Sequence, residues 1–350
     1  MEHVVDVSRK SRAKVVFVLG ATATGKSKLA ISIAERFGGE VINSDKIQAH
    51  DGFPVVTNKV TDEETAGVPH HLLGGVPPDA DFTVDDFCRE ASAAVARVLA
   101  AARLPVVAGG SNTYIEALVD GGDGSFRASH DCLFLWTDAS PDVLRWYTAV
   151  RVDDMVRRGL VSEARDGFDA AADYARGVRR AIGLPEMHEY LLAEQRGEPD
   201  EAMLERAVRE TKENTFRLAC AQVEKIRRLS ALPGWDVRRV DATAVFARMA
   251  EGKPHRETWE AVVWEPCVEM VSRFLLETAT PNAAGKYDEE IKTNGGGGGD
   301  VVVSNGNGNV DAEIKANGGG RGDVDEDVHV GDAATGSGVY EAAAVTAGVI

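Results

Sequence analysis

The chain has 350 residues, 44% hydrophobic and 27% charged, enough to bury a sizeable core in one large domain or two ordinary ones. Its formal charge of −17 makes it a poor polyelectrolyte partner for DNA or RNA, whose affinity for proteins comes mainly from phosphate neutralisation. No apolar run reaches the roughly 18 residues that a membrane span needs, and four widely spaced cysteines without a CxxC support neither a zinc ribbon nor a disulfide framework.

The N-terminal arm, residues 1–13, carries Arg9, Lys10 and Arg12 but no apolar stretch, which excludes a secretory signal. Glu2 and Asp6 weaken it as a transit peptide, so the expected compartment is the cytoplasm, with a plastid as the alternative. Val15 to Leu19 is a short apolar run that reads as a buried parallel strand. It empties into Gly20-Ala21-Thr22-Ala23-Thr24-Gly25-Lys26-Ser27, and Leu29, Ile33 and Phe37 then mark one face of a helix over 26–37 that Gly38-Gly39 stops. A second strand starts at Val41-Ile42 and ends at Asn43-Ser44-Asp45. Residues 81–102 form an alanine-rich helix, Pro105 to Ala108 a third strand ending in Gly109-Gly110, and Leu133 to Trp136 a fourth. Ser140-Pro141 supplies an N-cap and a first-turn proline for a mostly helical stretch to about Arg228, broken at Gly183-Leu184-Pro185, and Val237 to Val240 is a last strand.

This alternation implies an α/β fold: a P-loop NTPase-like parallel sheet with helices on both faces and a smaller helical insertion or lid around 141–200, all within a domain over 14–275. Residues 281–350 hold 16 of the 36 glycines, 12 acidic and 4 basic side chains and almost no aromatics. They also carry a local duplication, Glu290 to Gly295 returning as Glu313 to Gly318, and read as a disordered acidic tail.

The motif GxxxxGK[ST] is specific when it follows a strand and opens a helix, as here. Its glycines let successive backbone N–H groups turn inward on a phosphate, Lys26 neutralises oxygens, and the Ser27 hydroxyl suits Mg²⁺. Asp45 closes the second strand beside it, either as a metal ligand through water, as a general base, or as a plain cap for the next turn. Lys46 and Gln48 follow with a charge and an amide for an acceptor's polar edge. Gly109 to Tyr114 offers backbone donors and the side chains of Ser111, Asn112 and Thr113, while His70-His71 lacks metal-ligand spacing and reads as a structural loop pair. Arg179 and Arg180 stand before the Gly183 break, where they clamp a diphosphate or end a solvated helix. The bases between Arg206 and Arg228 are interleaved with acids and read mostly as a solvated face.

Taken together, the runs from Gly20 (GATATGKSKLA), Gly38 (GGEVINSDKIQ), Val56 (VTNKVT), Gly67 (GVPHHLLG), Leu104 (LPVVAGGSNTYIEALV), Arg151 (RVDDMVRRGLVSE), Gly177 (GVRRAIGLPE) and Glu213 (ENTFRLACAQVEKI) resemble the isopentenyltransferases that place a dimethylallyl group on adenine N6. Within that family they look like the plant adenylate isopentenyltransferases that begin cytokinin synthesis. The resemblance spans roughly 14–240 and implies that the P-loop holds dimethylallyl diphosphate, with AMP, ADP or ATP as acceptor. It further implies Asp45 as the base that takes the N6 proton and Thr22 at the bridging oxygen. Lys26, Mg²⁺ on Ser27 and an arginine of the Arg179-Arg180 pair are implied at the departing charge. Ala49-His50 departs from an aliphatic residue and tyrosine common in relatives, and Arg180 from a frequent lysine. Three other readings compete, one of them a non-catalytic nucleotide-binding module. A tRNA dimethylallyltransferase needs a basic surface this acidic body lacks, and a small-molecule kinase would transfer the γ-phosphate of ATP.

Overall fold

The computed structural model describes residues 12–277 apart from residue 123. The expected glycine-rich tail and most of the N-terminal arm lie outside the described residues.

Six strands form one sheet: β1 (Ala13–Gly20), β2 (Gly39–Asn43), β3 (His70–His71), β4 (Leu104–Ala108), β5 (His130–Asp138) and β6 (Val237–Asp241). Their order is β3-β2-β4-β1-β5-β6 and every pairing is parallel. β1 is central, with Val16 opposite Val106 on one side and Leu133 on the other. Because both faces are covered, β1 reads as an unbroken apolar run, and the two-residue period of a strand divides it between two cores. Val15, Phe17 and Leu19 enter one core with Phe87, Ile115, Val223 and Ile226, whereas Val16 and Val18 enter the other with Leu29, Ile33, Phe246 and Val271.

The helices bear out most of the sequence reading. α1 (Lys26–Phe37) starts at left-handed Gly25 and stops at left-handed Gly38, whose N–H donates to Ala34 O. α2 (Val84–Ala100) begins later than the expected residue 81 because Thr83 and Asp86 form a reciprocal capping box, with Phe82 and Phe87 on either side of it packed against Tyr114. α3 (Asn112–Asp120) and α4 (Ser125–Ser129) precede β5. α5 (Pro141–Arg157) opens on its proline as expected, but the Ser140 side chain caps nothing; its N–H is bound by Thr243 Oγ1 instead. α6 (Leu160–Asp166), a 3₁₀ turn (Gly177–Arg180), α7 (Leu184–Gln195) and the long α8 (Glu201–Ser230) follow. Met155, Leu160, Leu184, Met187, Leu191 and Ala207 give this helical region an apolar core of its own.

Two parts differ from expectation. His70-His71 is an edge strand rather than a loop, and His71 Nε2 lies 2.6 Å from Glu40 Oε2. Beyond β6 the chain adds α9 (Thr243–Ala250), α10 (Arg256–Trp259), a π-helical turn (Glu260–Trp264) and α11 (Glu265–Leu276). Lys14 Nζ at the start of β1 donates to Phe274 O and Glu277 O at the end of α11, which neutralises the partial negative charge of that helix terminus.

Candidate active site

Ligands of doubly wound sheets bind beyond the carboxyl ends of the strands, and three loops meet there: one after β1, one after β2 and one after β4. The first is the P-loop. Ala23 and Gly25 both have positive φ, 66° and 82°, the left-handed backbone with which phosphate-binding loops turn successive N–H groups inward. Close packing underneath leaves no room for side chains. A methyl on Gly20 would lie 2.5 Å from Thr137 Oγ1, and one on Gly25 would lie 2.8 Å from the Trp259 ring. Thr24 Oγ1 donates to Ala21 O at 2.8 Å and shares a 2.9 Å hydrogen bond with buried Thr137 Oγ1, which also donates to Leu19 O at 3.3 Å. Thr137→Val keeps the volume and removes this hydroxyl. It is expected to cost about 1 kcal/mol in urea denaturation and to weaken inorganic diphosphate binding, read by calorimetry.

Lys26 Nζ donates to Ala21 O at 2.7 Å. Burial lowers its pKa to about 8, opposed by the Asp45 carboxylate and reinforced by the Arg151 guanidinium. Ser27 is exposed on the first turn of α1. Thr22 is held from two sides. Its N–H donates to Gln222 Oε1 at 2.7 Å, and its hydroxyl faces Arg151 Nη1 at 3.5 Å.

The second loop carries Asp45. Buried Asn43 shapes it by accepting from Asp45 N–H at 3.1 Å and donating to Asp45 O and Leu72 O at 3.0 and 2.9 Å. Asp45 Oδ1 accepts from the N–H of Ile47 and Gln48 at 3.0 and 3.3 Å, so the turn-capping reading of this residue is correct for one oxygen. Among the described residues Oδ2 accepts no hydrogen bond, and it lies 3.2 Å from where a methyl on Gly110 would sit. The carboxylate can therefore cap its own turn and take a proton at once.

The third loop fixes the second. Ser44 N–H donates to Ala108 O, Ser111 N–H to Ser44 O, and Lys46 N–H to Ser111 Oγ at 3.0 Å. Gly109 is the point of closest approach: a methyl there would lie 2.4 Å from the Ser44 carbonyl carbon and 2.5 Å from Asp45 N. Gly109→Ala should displace the Asp45 turn and destabilise the protein by about 1–3 kcal/mol, measured by thermal unfolding.

Three of the expected ligand residues have other work. Ser111 braces Lys46 as above. Gln48 Nε2 donates to Thr57 O and Asn58 O at 3.1 Å each, fixing the 53–58 turn. Arg179 binds Asp79 at 2.7 Å and Gly167 O at 3.0 Å, and with half-buried Arg180 it lies in a 3₁₀ turn that docks through Val178 N–H on Pro78 O. Asn112 and Thr113, read as wrapping a ligand in a loop, instead start α3, with Asn112 buried. Conversely, sequence reasoning gave no role to Arg151, Thr137, Gln222 or Trp259, all of which touch the P-loop.

No group of three or more His, Cys, Asp or Glu side chains gathers among the described residues. The donors at the site are instead the Ser27 hydroxyl and Asp45 Oδ2. Few hard oxygens of this kind suit a cation that keeps most of its water and takes phosphate oxygens from a substrate.

Residues 48–131 and 122–229 match the family model described as IPP transferase. Adenylate isopentenyltransferase 3, chloroplastic, of Arabidopsis thaliana is 48% identical over 270 residues, covering 76% of this chain and 80% of the relative. Adenylate isopentenyltransferase 5, chloroplastic, of the same plant is 50% identical over 271 residues, covering 76% and 81%. Among solved structures, a eukaryotic dimethylallyltransferase acting on tRNA superposes with a TM-score of 0.62 at 22% identity, over 77% of this chain and 81% of that one, a likeness of fold.

Proposed function

Because this chain belongs to the IPP transferase family, we propose that it transfers the dimethylallyl group of dimethylallyl diphosphate to N6 of the adenine of free AMP, ADP or ATP, releasing diphosphate, as the first step of cytokinin synthesis. The observation that carries this reading is the placement of P-loop Lys26 and of Asp45, a carboxylate from the end of a different strand, at the same carboxyl edge of the parallel sheet. One charge suits a leaving diphosphate, and the other suits the proton of an incoming amine. The names of relatives that share about half of their residues with this chain support the free nucleotide as acceptor.

Breaking an allylic C–O bond puts negative charge on the diphosphate, and preorganised cations and N–H groups stabilise it where it develops. Lys26 and the loop N–H groups hold the diphosphate, while Thr22 and Arg151 address the bridging oxygen. Asp45 Oδ2 takes the N6 proton as the carbon–nitrogen bond forms. The Ser27 hydroxyl would hold Mg²⁺, which supplies further charge neutralisation when bound. An arginine of the Arg179-Arg180 turn, beside the acceptor's phosphates, adds to the positive charge at the departing diphosphate.

Incubation with dimethylallyl diphosphate, Mg²⁺ and AMP, ADP, ATP or a tRNA anticodon arm separately should add a five-carbon group to a free nucleotide, detected by mass. Transfer to the tRNA arm alone overturns the acceptor. Movement of label from γ-labelled ATP without any five-carbon gain overturns the reaction class. The relatives' chloroplastic names favour an organelle over the cytoplasm expected from the sequence, and a fluorescent fusion of the full chain tests this. Among the described residues no helix is long and apolar enough to cross a membrane.

A further inference from the structure

Gln222 is a buried residue of α8 whose two amide atoms serve two different loops. Its Oε1 accepts from Thr22 N–H in the P-loop at 2.7 Å, and its Nε2 donates to Gly110 O in the loop after β4 at 3.1 Å. The partners fix the orientation of the amide, since exchanging oxygen and nitrogen would set donor against donor and acceptor against acceptor. Thr22 N–H, which in a phosphate cradle would be available to the ligand, is thereby committed to helix α8. A methyl on Gly110 would lie 2.6 Å from Gln222 Nε2 and 3.2 Å from Asp45 Oδ2, so the amide and the carboxylate converge on one glycine. α8 itself is rigid at this level, because Ala219, Val223 and Ile226 are sealed in the core beneath β1.

We infer that Gln222 is a positioning residue that holds the diphosphate loop and the Asp45-side loop in one register, and so sets whether the allylic group reaches the nucleotide or water. The inference rests on the prenyl-transfer reading. In transfer, the N6–C1 bond forms while C1–O breaks, the electron pair leaves on diphosphate, and the N6 proton goes to Asp45. In the competing hydrolysis, a water oxygen bonds to C1 while the same C1–O bond breaks, and the water proton passes to solvent, giving dimethylallyl alcohol and diphosphate. Both reactions use the same leaving-group cradle. They differ in which nucleophile is held on the carbon, and misplacement by about 1 Å costs on the order of a hundredfold.

The test compares the wild type with Gln222→Met and Gln222→Glu, measuring prenylated nucleotide and dimethylallyl alcohol together with the folded fraction by circular dichroism. Gln222→Met removes both bonds. Its kcat for nucleotide prenylation should fall about 10- to 100-fold, while the ratio of alcohol to prenylated nucleotide rises about tenfold. Gln222→Glu keeps an acceptor for Thr22 N–H and sets a carboxylate oxygen against Gly110 O. It should raise KM for the nucleotide and the alcohol ratio while KM for dimethylallyl diphosphate stays near the wild-type value. A merely structural role lowers both products in proportion to the folded fraction and leaves the ratio unchanged, and that result in Gln222→Glu overturns the inference even if Gln222→Met does not fold. A wild-type protein that makes no prenylated nucleotide sinks the transfer reading, and this inference with it.

Discussion

Asp45→Asn is expected to leave the protein folded and able to bind inorganic diphosphate while kcat for prenyl transfer falls by about 10²–10⁴-fold, the usual worth of a positioned general base. The two oxygens of this side chain make the experiment decisive. Oδ1 caps the 46–48 turn through the N–H groups of Ile47 and Gln48, and an asparagine oxygen can do the same. Oδ2 makes no hydrogen bond among the described residues, and there the amide offers donors in place of a proton acceptor. Asp45→Ala removes both functions and should add a stability loss of about 1 kcal/mol for the missing cap, seen as a lower urea midpoint. The pair of variants therefore separates capping from proton transfer. Turnover in Asp45→Asn close to the wild-type rate would falsify the base assignment and leave Asp45 as a turn cap.

How much of this site the sequence discloses depends on how far apart its parts lie along the chain. The P-loop is legible because every group it needs falls within Gly20 to Ser27, bounded by a strand and a helix that announce themselves by period. Asp45 is legible because a residue two positions past a buried strand must stand at the sheet's carboxyl edge. Thr137, Arg151 and Gln222 carry no local mark of that kind. They reach Thr24 and Thr22 across 113, 129 and 200 residues, and a single sequence shows a polar residue on a helix or strand without showing what it faces. Gln48 and Arg179 show the opposite case. Each is polar, near the motif and chemically suited to a ligand, yet nearby loop carbonyls and Asp79 take their donors. The sheet follows the same logic: five of its strands have enough apolar residues to be read, whereas β3 is two residues long and has no period to detect. Trp259 is missed because its partner is a glycine, and the contact is visible only as space that Gly25 cannot fill.

The pH dependence of diphosphate binding should report the state of Lys26. Burial lowers this ammonium to about 8, with Asp45 holding it up and Arg151 pushing it down. A bound diphosphate favours the charged form, so the complex keeps Lys26 protonated where the free protein has begun to lose the proton. Affinity is therefore full below pH 7 and falls as pH rises through 8, becoming about tenfold weaker at pH 9 than at pH 7 from a single titrating group. At pH 8, where half of the free sites are deprotonated, binding should take up about half a proton per site. Calorimetry in buffers of different ionisation enthalpy measures both quantities. Lys26→Arg supplies the control, because a guanidinium stays charged throughout this range and leaves only the titration of the ligand itself. The variant should bind more weakly at pH 7, since the guanidinium does not match the compact ammonium in its cradle, but its affinity should lack the extra fall above pH 8. Equal slopes in the two proteins would mean that Lys26 stays charged in the free site, and that the cation set against Asp45 and Arg151 does not titrate where its burial puts it.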